Sequence, residues 1–317
     1  MHKYAWGHTR RYNDYSNYLR NHFGHRVQKI SIDGGFTCPN RDGSKGVGGC
    51  TFCNNDTFKP AYCEPILSIS DQVTKGVDFF KKNYTGIKYL AYFQSYTNTY
   101  GELQHLIDLY EEALSHPEVV GLIVGTRPDC LSDELLDYFE ELNDRTYLTV
   151  ELGIESTKDE TLLKINRGHD FASSREMVLE LSKRKIRVGS HLILGLLDET
   201  REEMLMHASI LSELPINYLK IHQLQYVKGS ILGRNFLRNP NQYKVLELEE
   251  YIELVIDFIE LLRSDIILER FASETPRKLQ IAPSWGLKNF ELVRKIEKRM
   301  DQRNTWQGRL YAHEVLK

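Results

Sequence analysis

At 317 residues, with 41% hydrophobic and 27% charged side chains and a formal net charge of −3, the chain has the make-up of a soluble globular protein. No run approaches the roughly 18 apolar residues a membrane helix needs, and MHKYAWGHTRRYNDY lacks the apolar core of a signal peptide, so the expectation is a cytoplasmic protein with no membrane partner. Five cysteines, three of them close together, then favour metal binding or redox chemistry over structural disulfides.

In chain order, residues 8–29 carry Arg10, Arg11, Arg20, Arg26 and Lys29 against the single acid Asp14, with Tyr12, Tyr15, Tyr18 and Phe23 interleaved. Such a segment can track a phosphate backbone while its rings stack on bases, or it can be a solvated helix face. Strand-like runs follow at Val27 to Ile32, Lys88 to Phe93, Val119 to Val124, Tyr147 to Leu152, Val188 to Leu194 and Tyr218 to Leu224. Helical spacing fills the gaps. Leu103, Leu106, Ile107, Tyr110 and Leu114 form one apolar stripe, and Leu131, Leu135, Leu136, Phe139 and Leu142 another. Ser70-Asp71, Ser132-Asp133-Glu134 and a Thr200-x-x-Glu203 capping box mark helix starts.

About six strand–helix units in a row predict a parallel sheet with helices outside, as an open doubly wound sheet or as a partial or full barrel. Ligands then belong at the carboxyl ends of the strands. Beyond residue 225 the pattern changes to one long helix, Val245 to Leu262, a short strand, Ile266 to Leu268, and a mixed tail over 276–317. That tail carries a second basic set: Lys288, Arg294, Lys295, Lys298, Arg299, Arg303 and Arg309. The expected division is a core over 1–225, with its basic N-terminal segment, and a C-terminal extension over 226–317 packed on it.

The loop after the first strand reads GGFTCPNRDG from Gly34 and GVGGCTFCNN from Gly46. Its cysteines, Cys38, Cys50 and Cys53, have the spacing C-x11-C-x2-C. A structural zinc site wants four ligands, and His8, His22 or His25 can supply one. A cubane cluster on three thiolates instead leaves one iron open, which suits chemistry. The glycines let the loop wrap closely round a bulky group. Spacing alone leaves an iron–sulfur cluster, zinc and metal-free cysteines all open. Cys63 and Cys130 lie apart and read as packing residues.

This loop resembles that of the radical S-adenosylmethionine (SAM) enzymes, with Phe52 as the aromatic residue between the last two cysteines. The strings FGHRVQKISIDGGFTCPNRDG, GGCTFCNN, YFQSYTNTY, ELGIES, LQYVKGSIL and ERFASETPRKL are similar to the YtqA/YhcC-like radical SAM proteins nearly end to end. The resemblance implies a partial (β/α)6 TIM-like barrel of the radical SAM type with a C-terminal α/β extension. It implies a [4Fe–4S] cluster on Cys38, Cys50 and Cys53, with SAM chelated to the fourth iron. An electron from the cluster then cleaves SAM to methionine and a 5′-deoxyadenosyl radical that abstracts hydrogen from a substrate. The protein supplies orientation and a dry cavity.

The same resemblance implies roles for single residues. Phe52 packs near the adenine, Glu155 meets the ribose, and Arg167 binds the carboxylate, a task suited to a guanidinium. Gln94 and Ser95 stand where the family's Gly-Gly-Glu-like motif receives the methionine ammonium, a departure that removes an acidic charge. His191 occupies a position where relatives often place an aspartate near the ribose, and it equally suits a satisfied core histidine. Arg127 either faces the cavity or pairs with Asp129 on the surface. His222, Gln225, Tyr226 and Lys228 end the sixth strand, where a substrate would lie.

For substrate, the subgroup resemblance implies tRNA, modified at the wobble uridine towards 5-methylaminomethyl-2-thiouridine, with electrons from a donor such as flavodoxin or ferredoxin. A loop base is already single-stranded and can be splayed into a barrel mouth at modest cost. A small metabolite or a protein is the competing substrate class. A non-enzymatic zinc-binding, nucleic-acid-binding module is the competing protein class.

Overall fold

Strands that are apolar on both faces need cover on both sides, and a parallel sheet obtains it by returning each strand through a helix. The computed structural model describes residues 3–57, 59–60, 62–82, 84 and 86–311; of the tail expected over 276–317, residues 312–317 lie outside the described residues. Six strands run side by side in chain order: β1 (Val27–Ile32), β2 (Lys88–Phe93), β3 (Val119–Thr126), β4 (Tyr147–Glu155), β5 (Arg187–Leu194) and β6 (Tyr218–Gln223). β7 (Tyr226–Val227), β8 (Ile267–Arg270) and β9 (Gln280–Ala282) follow. β8 joins the far side of β6, so the main sheet has seven strands, all parallel, while β7 and β9 pair antiparallel in a ribbon of their own.

The order β1-β2-β3-β4-β5-β6-β8 never reverses. A doubly wound sheet reverses at a switch point, so this is instead the singly wound order of a barrel, a curled half-barrel left open between β1 and β8. The expected extension is thus part of the sheet itself, through β8. Among the described residues no helix is long and apolar enough to cross a membrane.

Helices α1 (Tyr15–Phe23), α2 (Ile69–Lys81), α3 (Leu103–Leu114), α4 (Asp133–Arg145), α5 (Asp159–Lys164), α6 (Phe171–Lys183) and α7 (Arg201–Ser212) belong to the barrel, and α8 (Ile231–Arg238), α9 (Leu248–Leu261) and α10 (Asn289–Gln302) to the later segment. The α3 stripe of Leu106 and Tyr110 and the α4 stripe of Leu135, Leu136, Phe139 and Leu142 enter the main core, as their spacing predicts. Ser132 caps α4, and Thr200 with Glu203 forms the capping box of α7. For α2 the expectation is two residues late. Ser68, not Ser70-Asp71, is the cap, its Oγ accepting from the Asp71 N–H at 3.0 Å, because the helix starts where buried Ile69 begins its apolar face.

α1 is the exception to the outer ring. It carries buried Tyr15 and Leu19 against Leu90, Tyr92, Ile123, Tyr147, Tyr218 and Ile267, which plugs the amino end of the barrel and leaves the carboxyl end open. Above that plug the interior is ionic. Lys29 Nζ reaches Glu151 at 2.9 Å and Glu269 at 2.7 Å, and Lys220 Nζ reaches the same two at 2.6 and 3.1 Å. Burial alone would raise the Glu151 carboxyl, but Lys220, Lys29 and His191 together outweigh it and hold it well below the ordinary carboxylate range.

Part of the two basic stretches is taken up by ion pairs, while among the described residues Arg20, Arg26, Lys288, Arg294 and Lys298 have no acidic partner. Arg10 pairs with Asp14 and Glu297, Arg11 with Asp301, and Lys29 lies in the barrel. Arg299, Arg303 and Arg309 pair with Glu253, Asp257 and Glu260 on α9. These contacts dock α10 and the N-terminal segment onto the core.

Replacing Glu151 by Ala strips the shared acceptor from Lys29, Lys220 and His191. The expected cost is about 3–5 kcal/mol, measured as a lower urea midpoint at unchanged slope. A loss under about 1 kcal/mol, the range of an exposed pair, would mean that Glu269 holds both lysines alone.

Candidate active site

The carboxyl ends of β1 to β6 converge on one cavity, where strand ends in a parallel barrel place their ligands. Its wall takes Cys38, Cys50, Phe52 and Cys53 from the loop after β1, and Gln94, Tyr96 and Thr97 from the end of β2. Arg127 comes from β3, Glu151, Gly153 and Glu155 from β4, Arg167 from beyond α5, His191 from β5, and His222 and Gln225 from around β6.

The cysteine loop is held by its own backbone and by the segment before Arg167. The Cys53 N–H donates to the Cys50 carbonyl at 3.0 Å, a turn that brings these two residues together. Gly48 and Gly49 precede Cys50 at φ 84° and 76°, where a side chain would be strained. The Thr51 N–H donates to the Ile165 carbonyl at 2.9 Å, Asn166 Nδ2 to the Gly49 carbonyl at 2.9 Å, and Asn40 Nδ2 to the Asn166 carbonyl at 2.6 Å. Arg167 is thereby delivered to the thiols: its Nη1 lies 3.5 Å from Cys50 Sγ.

Burial pushes the Cys53 thiol up to about 11, with Cys50 adding to the rise and Arg41 opposing it. Without a metal Cys53 therefore stays a neutral thiol, and coordination to a metal would remove its proton outright. Two guanidiniums, Arg41 and Arg167, and two amide donors, Asn40 Nδ2 at 3.7 Å from Cys50 Sγ and Asn55 Nδ2 at 3.6 Å from Cys53 Sγ, supply positive potential to thiolate sulfur. This donor set fits an anionic iron–sulfur cluster. Zinc fits poorly. His8 and His22 line a pocket with Asp265 at the amino end of the strands, and His25 lies beside Phe23 there. The nine-residue β4 separates the two ends by roughly 26 Å, so no upstream histidine completes a four-ligand site.

Arg167 and Glu155 meet across Gly153. Arg167 Nη2 donates to the Gly153 carbonyl at 2.5 Å and stands 3.8 Å from Glu155 Oε1. A Cβ on Gly153 would lie 2.6 Å from that Nη2 and 2.7 Å from that Oε1, so glycine is what lets the pair cross the strand. Among the described residues Arg167 Nε is buried without a partner, and so are Thr97 Oγ1 and His222 Nε2. Buried polar atoms left open in a cavity ask for a ligand. Among the described residues, three of the six non-glycine residues with positive φ, Tyr96, Glu155 and Asn166, belong to this site, as expected where backbone strain serves a function.

The remaining expected residues divide. Arg127 does both things foreseen for it: it lines the cavity and forks onto Asp129 at 2.9 and 3.1 Å, with Arg127 buried and Asp129 half-buried, and its Nη1 holds the Arg167 carbonyl at 2.8 Å. His191 Nε2 is 3.0 Å from Glu151 Oε2, with its ring stacked 5.5 Å from that of His222. Burial and its cationic neighbours keep His222 well below the usual imidazole range, so it is neutral. Gln94 reaches the cavity, whereas Ser95 is buried outside the wall and Tyr96 and Thr97 stand there instead. Gln225 lines the cavity and accepts from Thr275 Oγ1 at 2.6 Å. Lys228 is exposed at the rim and forms no part of the wall. Sequence reasoning missed Glu151 and Lys220; the signal was a charged residue in the middle of each apolar strand.

An open half-barrel with three thiols after its first strand, set among cations, defines an enzyme that works through a bulky anionic cofactor. The chain belongs to the radical SAM superfamily, whose family model matches residues 38–211, and the Radical_SAM C-terminal domain model matches residues 216–302. A [4Fe–4S] cluster and SAM are its cofactors. It is 37% identical over 305 residues to the uncharacterised protein YtqA of Bacillus subtilis, covering 95% of this chain and 93% of that one. It is 38% identical over 268 residues to the protein YhcC of Escherichia coli, covering 84% and 85%. Among solved structures the archaeal Elp3 of Methanocaldococcus infernus shares the fold, with a TM-score of 0.67 at 16% identity; the match covers 89% of this chain and 64% of that one.

In metal-free, reduced protein, Cys53 alkylation by iodoacetamide is expected to rise with pH towards a midpoint of about 11. A midpoint near an ordinary thiol's value of about 8.5 would show that the loop opens without its cofactor.

Proposed function

We propose that this radical SAM enzyme holds its cluster on Cys38, Cys50 and Cys53 and modifies the wobble uridine of tRNA, towards 5-methylaminomethyl-2-thiouridine. The observation that carries the cofactor assignment is one cavity, at the carboxyl end of the strands, lined by all three thiols and by the Arg167–Glu155 pair. When bound, the cluster and SAM supply one-electron bond cleavage and hydrogen abstraction. The chain's own residues bind and orient. Arg167 suits the SAM carboxylate through a charge-assisted fork, Glu155 the ribose diol, and Phe52 the adenine. Gln94 and Thr97 can accept from the ammonium, and His191, steadied by Glu151, faces the same space. Arg127 fixes Arg167 through its backbone.

The tRNA reading rests on the resemblance of the chain's motifs to the YtqA/YhcC-like proteins. Chemically, a wobble base sits in a single-stranded loop, and an enzyme that acts on a base must take it out of its stack. One observation favours a small-molecule or protein substrate instead: part of the two basic stretches is taken up by internal ion pairs.

The test uses protein reconstituted without oxygen and reduced with dithionite, and assays 5′-deoxyadenosine from SAM with and without bulk tRNA from a strain lacking the gene. Product that rises with that tRNA is expected; product indifferent to it removes the RNA reading and keeps the enzyme class. Cys50→Ala should abolish both the brown cluster and SAM cleavage. Arg167→Lys, which loses the fork, should weaken SAM binding about 10- to 100-fold, the worth of a hydrogen bond to a charged group, in a titration of the cluster-loaded protein.

A further inference from the structure

We infer that Lys228, Arg234, Arg277 and Lys278 form a phosphate-docking rim for an RNA substrate at the cavity mouth, an inference that rests on the tRNA reading above. Three separate segments bring them together. The Lys228 N–H donates to the Leu279 carbonyl at 2.8 Å, which sets the 276–279 turn, with Arg277 and Lys278, beside it. Arg234, on α8, donates Nη1 to the Gly229 carbonyl at 3.0 Å, next to Lys228. The Lys228 carbonyl accepts from Asn54 Nδ2 at 2.7 Å, one residue beyond Cys53, and the Leu232 N–H donates to the Thr51 carbonyl at 2.9 Å. The rim therefore borders the cysteine loop, and Val227 beneath it lines the cavity.

All four side chains are exposed. Among the described residues none of the four has an acidic partner, in contrast to Arg10, Arg11, Arg303 and Arg309. Two exposed acids lie near. Asp56 donates its N–H to Asn54 Oδ1, and Glu274 accepts from the Asn289 N–H. The local balance is four cations against two acids on a chain whose net charge is −3.

Exposed, fully hydrated cations gain little from a single small anion, because water and salt screen the pair. They gain much from a polyanion, since each phosphate neutralised releases condensed counterions. A metabolite would need its cation inside the cavity; a nucleic acid needs a row of them outside it, a few residues from where a base enters. Tyr96, in the wall with the Arg41 guanidinium 6.0 Å from its ring centre, offers that base a surface to stack on.

The test compares cluster-loaded wild-type protein with two triple variants of equal charge change: Lys228→Glu/Arg277→Glu/Lys278→Glu at the rim, and Lys75→Glu/Arg175→Glu/Lys298→Glu on exposed helix faces elsewhere. Bulk tRNA binding is followed by anisotropy across a salt series, with cluster absorbance and thermal midpoint confirming that each variant is folded. Three lost phosphate contacts should lower the slope of log K against log salt by about 2 in the rim variant and leave it unchanged in the other. Wild-type binding with equal slopes in all three proteins overturns the rim while leaving the tRNA reading intact. No salt-sensitive binding by wild-type protein overturns the tRNA reading itself.

Discussion

Glu151 accepts from Lys220, Lys29 and His191 at 2.6, 2.9 and 3.0 Å, and the rest of the half-barrel is arranged around that buried carboxylate. Among the described residues β1 and β8 do not pair, and the free edge of β8 is met only by the N-terminal segment, the Leu268 N–H donating to the Asn13 carbonyl at 2.7 Å. The ionic group supplies side-chain spokes across the opening instead, since Lys29 on β1 touches both Glu151 on β4 and Glu269 on β8. A buried ion pair is weak evidence for net stability, because desolvation offsets most of the attraction. Its geometric effect is clearer. Four charged groups with few permitted arrangements set how far the strands curl, and the same carboxylate forms part of the cavity wall.

On that floor, the site joins two distant pieces of chain. Arg167 and Cys50 are 117 residues apart in sequence, and the backbone of 165–167 is stitched to the cysteine loop by hydrogen bonds from Thr51, Asn166 and Asn40. The cysteine loop and Arg167 are thus one rigid unit. A cofactor bound between the two would need that shared rigidity, because small misplacements are costly to reaction geometry.

Charge is divided by position. Most arginines of the two terminal basic stretches hold helices and termini together, so they are poorly placed to greet a ligand. Lys228 just after β7, Arg234 on α8, and Arg277 and Lys278 in the turn before β9 stand in water at the mouth of the barrel. The later part of the chain therefore completes the sheet through β8 and furnishes the rim through the β7–β9 ribbon.

Local pattern alone located all six core strands, the α3 and α4 stripes and the α7 capping box, because periodicity and caps are short-range properties of the chain. It also placed the three cysteines after β1, where strand order makes a ligand site. Its misses are equally local in origin: a helix start displaced to Ser68, Ser95 buried behind the wall, and cations whose acids lie far away in sequence. Periodicity could not choose between a doubly wound sheet and a half-barrel, since both read as the same strand–helix alternation. Only the tertiary structure decided that choice, along with the partners of Glu151 and the meeting of Arg167 with Cys50, because each depends on contacts between residues many turns and strands apart, which no short-range pattern encodes.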